Sequence, residues 1–373
     1  MTYSDGQFPS YIWDRYLEHF DELKVLSRFS ESDKSIDVSK LDVSSREEVD
    51  FKLVGSLSSI KSQLKDKKEI KTAILKEVRE ADAVICRLPS FLGRLTASIA
   101  IKENKPLAIE VVADAWDELW NYGNIKGKMF APISFFYTRY LTKKSKYTLY
   151  VTKEYLQNRY PSNGITTSCS NVELAVHDET VLDKRLNKTN QNRIGLIAAL
   201  GAGYKGIDTA IAAIAEIKEK HSDFSFHILG NGDATKWIEL AKKYNVEDIV
   251  FFDGTLPSGA AVYEWLDEID VYIHPSRQEG LPRAVIEAMS RACPVIASTI
   301  AGIPELIDSE NLHAPGDSKK LAKLLDNKLE NHQWKKDESI KNFHKSSHYK
   351  KENLNIIRNS FWGKFYNYSL DNK

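Results

Sequence analysis

His274-Pro-Ser-Arg-Gln-Glu279-Gly-Leu-Pro-Arg-Ala-Val-Ile-Glu287-Ala-Met289 overlaps one short apolar run, Val271-Tyr-Ile-His274, and precedes another, Pro294-Val-Ile-Ala-Ser298. The first run is β-prone and reads as a buried strand, whereas Val285, Ala288, Met289 and Ala292 recur at helical spacing. Between them Gly280 lets the backbone approach a ligand without a Cβ in the way, and Pro282 has its φ set for a helix start. A helix opening there presents free amides and the positive end of its dipole, which is an anion site suited to phosphate. Glu279 then sits at the mouth of the turn, with Glu287 about one turn inside the helix. Glu287 also has a plainer reading, because Arg283 and Arg291 each stand four residues away on the same face. An ion pair there is worth only about 0.2–0.5 kcal/mol.

Outward from this segment, strands and helices alternate, which predicts an α/β chain with parallel sheets covered on both faces. The expected strands are Leu23–Ser27, Lys52–Ser56, Ala83–Arg87, Leu107–Val112 and Thr148–Val151, then Arg193–Leu200, Phe224–Leu229, Ile249–Phe252, Val271–His274 and Pro294–Ser298. Polar Glu173–Gln191 reads as a linker, placing a boundary near residue 180. A chain of 373 residues suits two such domains. Its 42% hydrophobic and 28% charged content is that of a soluble globular protein without a membrane span. Cys86, Cys169 and Cys293 lack metal-ligand spacing and read as reduced core thiols, and the N-terminus has no export signal, so a cytoplasmic protein is expected. Lys plus Arg and Asp plus Glu balance at 52 each, which argues against bulk nucleic-acid binding.

Together with the turn Ala301-Gly-Ile-Pro-Glu305, the opening string resembles the retaining GT-B glycosyltransferases of family 4. In that family two glutamates separated by seven residues mark the donor site, a separation that Glu279 and Glu287 share. The resemblance implies two Rossmann-like, doubly wound domains facing a cleft. Residues 1–180 would bind the acceptor, 181–345 the nucleotide sugar, and a C-terminal helix in 346–373, with Ile356, Phe361, Phe365 and Tyr366 at helical spacing, would cross back to the first domain. Members usually begin with a β-strand. This chain opens on loop-like Tyr3-Ser-Asp-Gly6-Gln-Phe, so that strand is expected to be missing, leaving sheet groups unpaired at about 1–3 kcal/mol each.

The resemblance also assigns roles. Glu279 would contact the sugar hydroxyls and Glu287 the ribose. Lys205, Gly206 and the turn Gly280-Leu281-Pro282-Arg283 would hold the diphosphate, and strand ends near Gly230 and Gly254 the base. Asp114, ending a strand in Ile109-Glu-Val-Val-Ala-Asp114, is a catalytic candidate by carry-over and a helix N-cap by the plainer reading. Gly6 and Arg87 would shape the acceptor side. Relatives often carry Gly-Arg-Leu where Ala198-Ala-Leu200 stands, so one diphosphate cation is absent. Neither Asp114-Ala-Trp-Asp117 nor Asp267-Glu-Ile-Asp270 has Asp-X-Asp spacing. No metal or other cofactor is therefore expected, and lysine and helix dipole would stabilise the leaving group.

A different reading of one loop leads elsewhere. Gly201, Gly203 and Gly206 follow a strand and open a helix, as in a dinucleotide fingerprint, which makes an NAD-dependent oxidoreductase the alternative. The next strand ends in Leu229-Gly-Asn-Gly-Asp233, with no acid where a ribose contact belongs. A catalytically silent nucleotide-sugar-binding protein is the other alternative. Finally, Lys126–Tyr147 interleaves aromatic and basic residues. Such a helix either packs its aromatics in the core or lies on an anionic membrane surface. The expected function is transfer of a hexose from a nucleoside diphosphate sugar, UDP favoured, to a saccharide or lipid-linked saccharide in cell-surface polysaccharide synthesis.

Overall fold

Strands buried on both faces read as nearly continuous apolar runs, and such runs mark most strands of the two parallel sheets. The computed structural model describes residues 2–4, 8–28, 41–54, 67–120, 125–174, 177–221 and 223–372. In the second half, six strands run in the order Val250–Gly254, Ser225–Leu229, Arg193–Ile197, Val271–His274, Val295–Ser298 and Leu312–His313. Every neighbouring pair is parallel. The chain thus starts in the middle, winds outward, and returns to wind the other way. The reversal falls between Arg193–Ile197 and Val271–His274, and a doubly wound sheet opens its ligand crevice at the carboxyl ends of such a strand pair.

The first half holds a four-stranded parallel sheet, Val84–Leu88, Leu107–Val111, Tyr147–Tyr150 and Ile165–Ser168, and a parallel pair, Leu23–Arg28 with Val49–Val54. Leu23 and Val25 of that pair share an apolar cluster with Ile85 of the larger sheet. Tyr3–Ser4 pairs antiparallel with Asp42–Val43, apart from the parallel sheets. Ile165–Ser168 and Leu312–His313 had no sequence expectation. The segment read as a linker contains a helix, Glu179–Leu186, begun by Asp178, whose side chain accepts from Thr180 N. Arg185 ties that helix to the carbonyls of Leu266 and Arg291.

The fold is GT-B, two Rossmann-like halves bridged by a C-terminal helix, Lys351–Leu370. That helix returns to the first half, where Phe361, Trp362 and Phe365 are buried with Trp13, Tyr16, Ala108, Tyr147 and Leu149. Glu173 pins it by accepting from both Arg358 (2.8 Å) and Arg15 (3.2 Å). Ile356, expected on the packed face, instead points outward at 71% exposure. All three cysteines are free and buried. Among the described residues, no helix is long and apolar enough to cross a membrane.

Candidate functional site

A pocket of about 250 Å³ opens at the sheet's reversal point. Ile197, Ala198 and Ala199 line it from the end of one central strand and His274 from the other. Lys205, Glu279, Pro282, Arg283, Ala284 and Glu287 complete its wall. Two loops build this wall and are stitched together. Arg277 N donates to Tyr204 O (2.7 Å), and the Arg277 guanidinium forks onto both Asp208 oxygens (2.8 Å each) and reaches Thr209 Oγ1 (2.8 Å). Gly206 has φ +73°, and a Cβ there would stand 2.0 Å from Pro275 O. Only glycine lets the loops close this tightly, so Gly206 places Lys205 against the turn.

Glu279 is the electrostatic centre. Its Oε1 accepts from Lys205 Nζ at 2.7 Å and lies 2.8 Å from His274 Nε2. Burial alone would raise its pKa, but His274 first and then Lys205 outweigh burial and bring it down to about 2. His274, 1% exposed, is oriented from behind: Tyr272 Oη accepts from Ile197 N (3.4 Å) and lies 3.3 Å from His274 Nδ1. His274 had no sequence-based role beyond ending the strand. A polar residue closing a buried strand at the reversal point was the available signal.

Glu287 lies within the helix Arg283–Ser290 and has no side-chain ion pair or hydrogen bond among the described residues. Its expected alternative partner Arg291 is taken by Asp267, at 2.8 and 2.5 Å. Burial raises the Glu287 pKa to about 7, with Arg283 opposing. Pro282 is the helix N-cap rather than its first residue, leaving the following amides free at the pocket wall. Arg283 is exposed at that wall, and Leu281 packs against the cores of both halves.

The turn also meets the first half directly. A Cβ on Gly280 would lie 2.5 Å from Val112 O, so the glycine serves close packing across the cleft. Gly280 O accepts from Gly302 N (3.0 Å), and in the short helix Ile303–Leu306 that follows, Glu305 accepts from the backbone amides of Lys153, Glu154 and Tyr155. Gly230 and Gly254, expected at the base, do not line the pocket. Gly230 N instead donates to Gly254 O (2.7 Å), and a Cβ on Gly230 would strike Ala198 O at 1.9 Å.

The first-half candidates are committed elsewhere. Asp114 is 1% exposed and accepts from Tyr155 Oη (2.8 Å), Tyr160 Oη (2.6 Å) and Trp116 N (2.8 Å), with Arg159 alongside. Through Trp116 N it caps the helix Ala115–Trp120, the plainer of its two readings. Arg87 pairs with buried Glu110 (3.3 Å) and lies over the Phe8 ring. Gly6 lies outside the described residues.

Residues 191–331, which contain the whole pocket, match the glycosyl transferases group 1 family. The chain is 35% identical to Protein CapJ of Staphylococcus aureus, over 95% of this chain and 89% of that protein. It is also 35% identical to the putative colanic acid biosynthesis glycosyltransferase WcaL of Escherichia coli (strain K12), over 32% of each. The crystal structure of Anabaena Alr3699/HepE in complex with UDP superposes with a TM-score of 0.59 at 14% identity, covering 87% of this chain and 86% of that one. From these matches, its GT-B architecture and its two-glutamate turn, the chain belongs to the glycosyl transferases group 1 family and is a GT-B glycosyltransferase of polysaccharide biosynthesis.

Proposed function

We propose that this protein transfers a hexose from a UDP-sugar to a saccharide or lipid-linked saccharide acceptor, with retention of anomeric configuration and without a divalent metal, on the cytoplasmic side of the membrane. The observation that carries this reading is the Lys205–Glu279 pair beside the free amides of the Arg283–Ser290 helix. A diphosphate entering the pocket competes with Glu279 for Lys205, and the released carboxylate becomes available to the sugar hydroxyls. Lys205 and the helix amides then stabilise the negative charge that grows on the diphosphate as the glycosidic bond breaks. Glu287, without a side-chain partner among the described residues, accepts from the ribose hydroxyls. The acceptor attacks from the face the diphosphate leaves, and the departing oxygen takes its proton. UDP is favoured because a neighbour of the same fold was solved with UDP. Reaction in the cytoplasm is supported by three buried, unbridged thiols.

The test begins with thermal shifts for UDP, GDP, ADP and NADH, since a ligand at about a hundred times its dissociation constant stabilises by about 2.7 kcal/mol. Stabilisation by UDP, weakened by about 1.5–3 kcal/mol of binding energy in Lys205→Ala, supports the site. NADH as the sole stabilising ligand overturns it. NMR of the product then reads its anomeric configuration, and inversion would remove the front-face reading. UDP binding without transfer to any acceptor would identify a silent sugar-nucleotide-binding protein.

A further inference from the structure

The helix Ile125–Lys144 is built inside out. Its inward face consists of small, hydroxyl-bearing and apolar residues, and Ala131, Ser134, Thr138, Leu141 and Thr142 are all buried. Its outward face carries Met129, Phe130, Ile133, Phe136, Tyr137 and Tyr140, with Ile133 and Phe136 more than 60% exposed. An ordinary surface helix shows the reverse polarity. Large apolar side chains gathered on one outward face mark a surface made to be covered.

Charge selects the cover. The helix sequence has four lysines, one arginine and no acidic residue, and Lys128, Lys143 and Lys144 are exposed along the same element. A cationic helix presenting aromatic and aliphatic side chains suits the headgroup region of an anionic bilayer, where rings sink below the phosphates and lysines stay with them. The position fits as well. The helix packs against Ala115–Trp120, with Phe135 edge-on to Trp116 at 6.3 Å, and that shorter helix begins beside the Val112 carbonyl that meets the Gly280 turn.

We propose that the outward face of Ile125–Lys144 docks the first half of the protein onto an anionic lipid bilayer and holds the cleft within reach of a membrane-embedded acceptor. The acceptor clause rests on the transfer reading above; the docking itself needs no turnover. The test uses the full chain with no substrate, sedimented with vesicles of phosphatidylcholine alone and of phosphatidylcholine mixed equally with phosphatidylglycerol. Binding to the mixed vesicles only, weakened by salt, is expected. Ile133→Ser/Phe136→Ser should reduce partitioning about tenfold or more. Lys143→Ala/Lys144→Ala should remove the preference for anionic lipid, and both variants should bind UDP like the parent. Failure of the parent to bind either vesicle, or unchanged binding by the serine variant, overturns the proposal while leaving the UDP result to judge the donor site separately. A dimer in analytical ultracentrifugation that the serine variant dissociates, without vesicle binding, would make a second copy the occupant and also overturn it.

Discussion

Asp114 and Glu279 are both carboxylates shielded from water just beyond the carboxyl ends of parallel strands, yet their surroundings differ in kind. Asp114 is enclosed by two tyrosine hydroxyls, an arginine and a backbone amide, all from its own half of the protein. Glu279 has one oxygen shared between Lys205 and His274 and lies against an open pocket. Lys205 is a point charge on a flexible stem, able to exchange a carboxylate for a phosphate. A buried acid with fixed partners holds a fold together, whereas one whose partner can leave is poised for a substrate.

The sharpest way to break this contrast is Glu279→Gln. The amide keeps an oxygen for His274 but loses the charge. Turnover should fall by about 10²–10³-fold, while UDP affinity by calorimetry holds or improves as Lys205 is released. Near-parental turnover would erase the distinction between the two acids. Asp114→Asn should do the opposite. Leaving Arg159 without its partner should cost about 3 kcal/mol of stability and lower Tm by roughly 5–10 °C, with UDP affinity retained. A variant as stable as the parent, but inactive, would favour the catalytic reading of Asp114 over the cap.

Glu287 sharpens the comparison through pH. Its folded pKa is raised, to about 7, so it binds protons more readily folded than unfolded. Stability contributed by this group is therefore lost as pH rises from the ordinary carboxylate range toward 7. Ribose hydroxyls donate to the ionised form, so UDP affinity should rise about tenfold between pH 6 and 8, following the ionised fraction. Glu287→Gln should remove that part of the profile, and an unchanged slope would show that the titrating group lies elsewhere.

Which of these features the sequence could disclose follows from where their partners lie. The strand–turn–helix around Glu279 was legible because Val271–His274 and Val295–Ser298 are fully buried and therefore apolar up to the polar residue that closes each, His274 and Ser298. Ile165-Thr-Thr-Ser168 escaped because a half-exposed strand carries no such run. The helix Glu179–Leu186 escaped because one buried side chain, Val181, gives little periodicity amid charge. The resemblance assigned Lys205 to the diphosphate, but not its contact with Glu279, 74 residues away. Asp114 shows the same limit: its contacts depend on Tyr155, Arg159 and Tyr160, brought in by the later helix Tyr155–Arg159 and the residue that ends it. The outward face of Ile125–Lys144 was undecidable in sequence because both of its faces hold apolar residues, and only packing separates them.

The smallest expected effect concerns the contact joining the two halves. Glu305 supplies a carboxylate to three amides at the start of the helix Tyr155–Arg159, and its loop is bonded through Gly302 N to Gly280 O beside Glu279. One loop therefore connects the donor turn to the opposite wall of the cleft. Glu305→Ala removes an anion from amides that water can reach, so its cost should be about 1 kcal/mol, like loss of a helix cap. If the contact favours the closed cleft, lowering the closed fraction weakens donor affinity in proportion, a few-fold here. Turnover at saturating donor should barely change, because bound donor restores closure. Lys205→Ala, by contrast, removes a direct ligand contact, and more donor cannot replace its charge in the transition state. X-ray scattering of the donor-free Glu305→Ala variant should give a larger radius of gyration that UDP returns to the parental value. An unchanged radius with unchanged affinity would make Glu305 a passive cap, with closure set by the Gly280–Val112 packing.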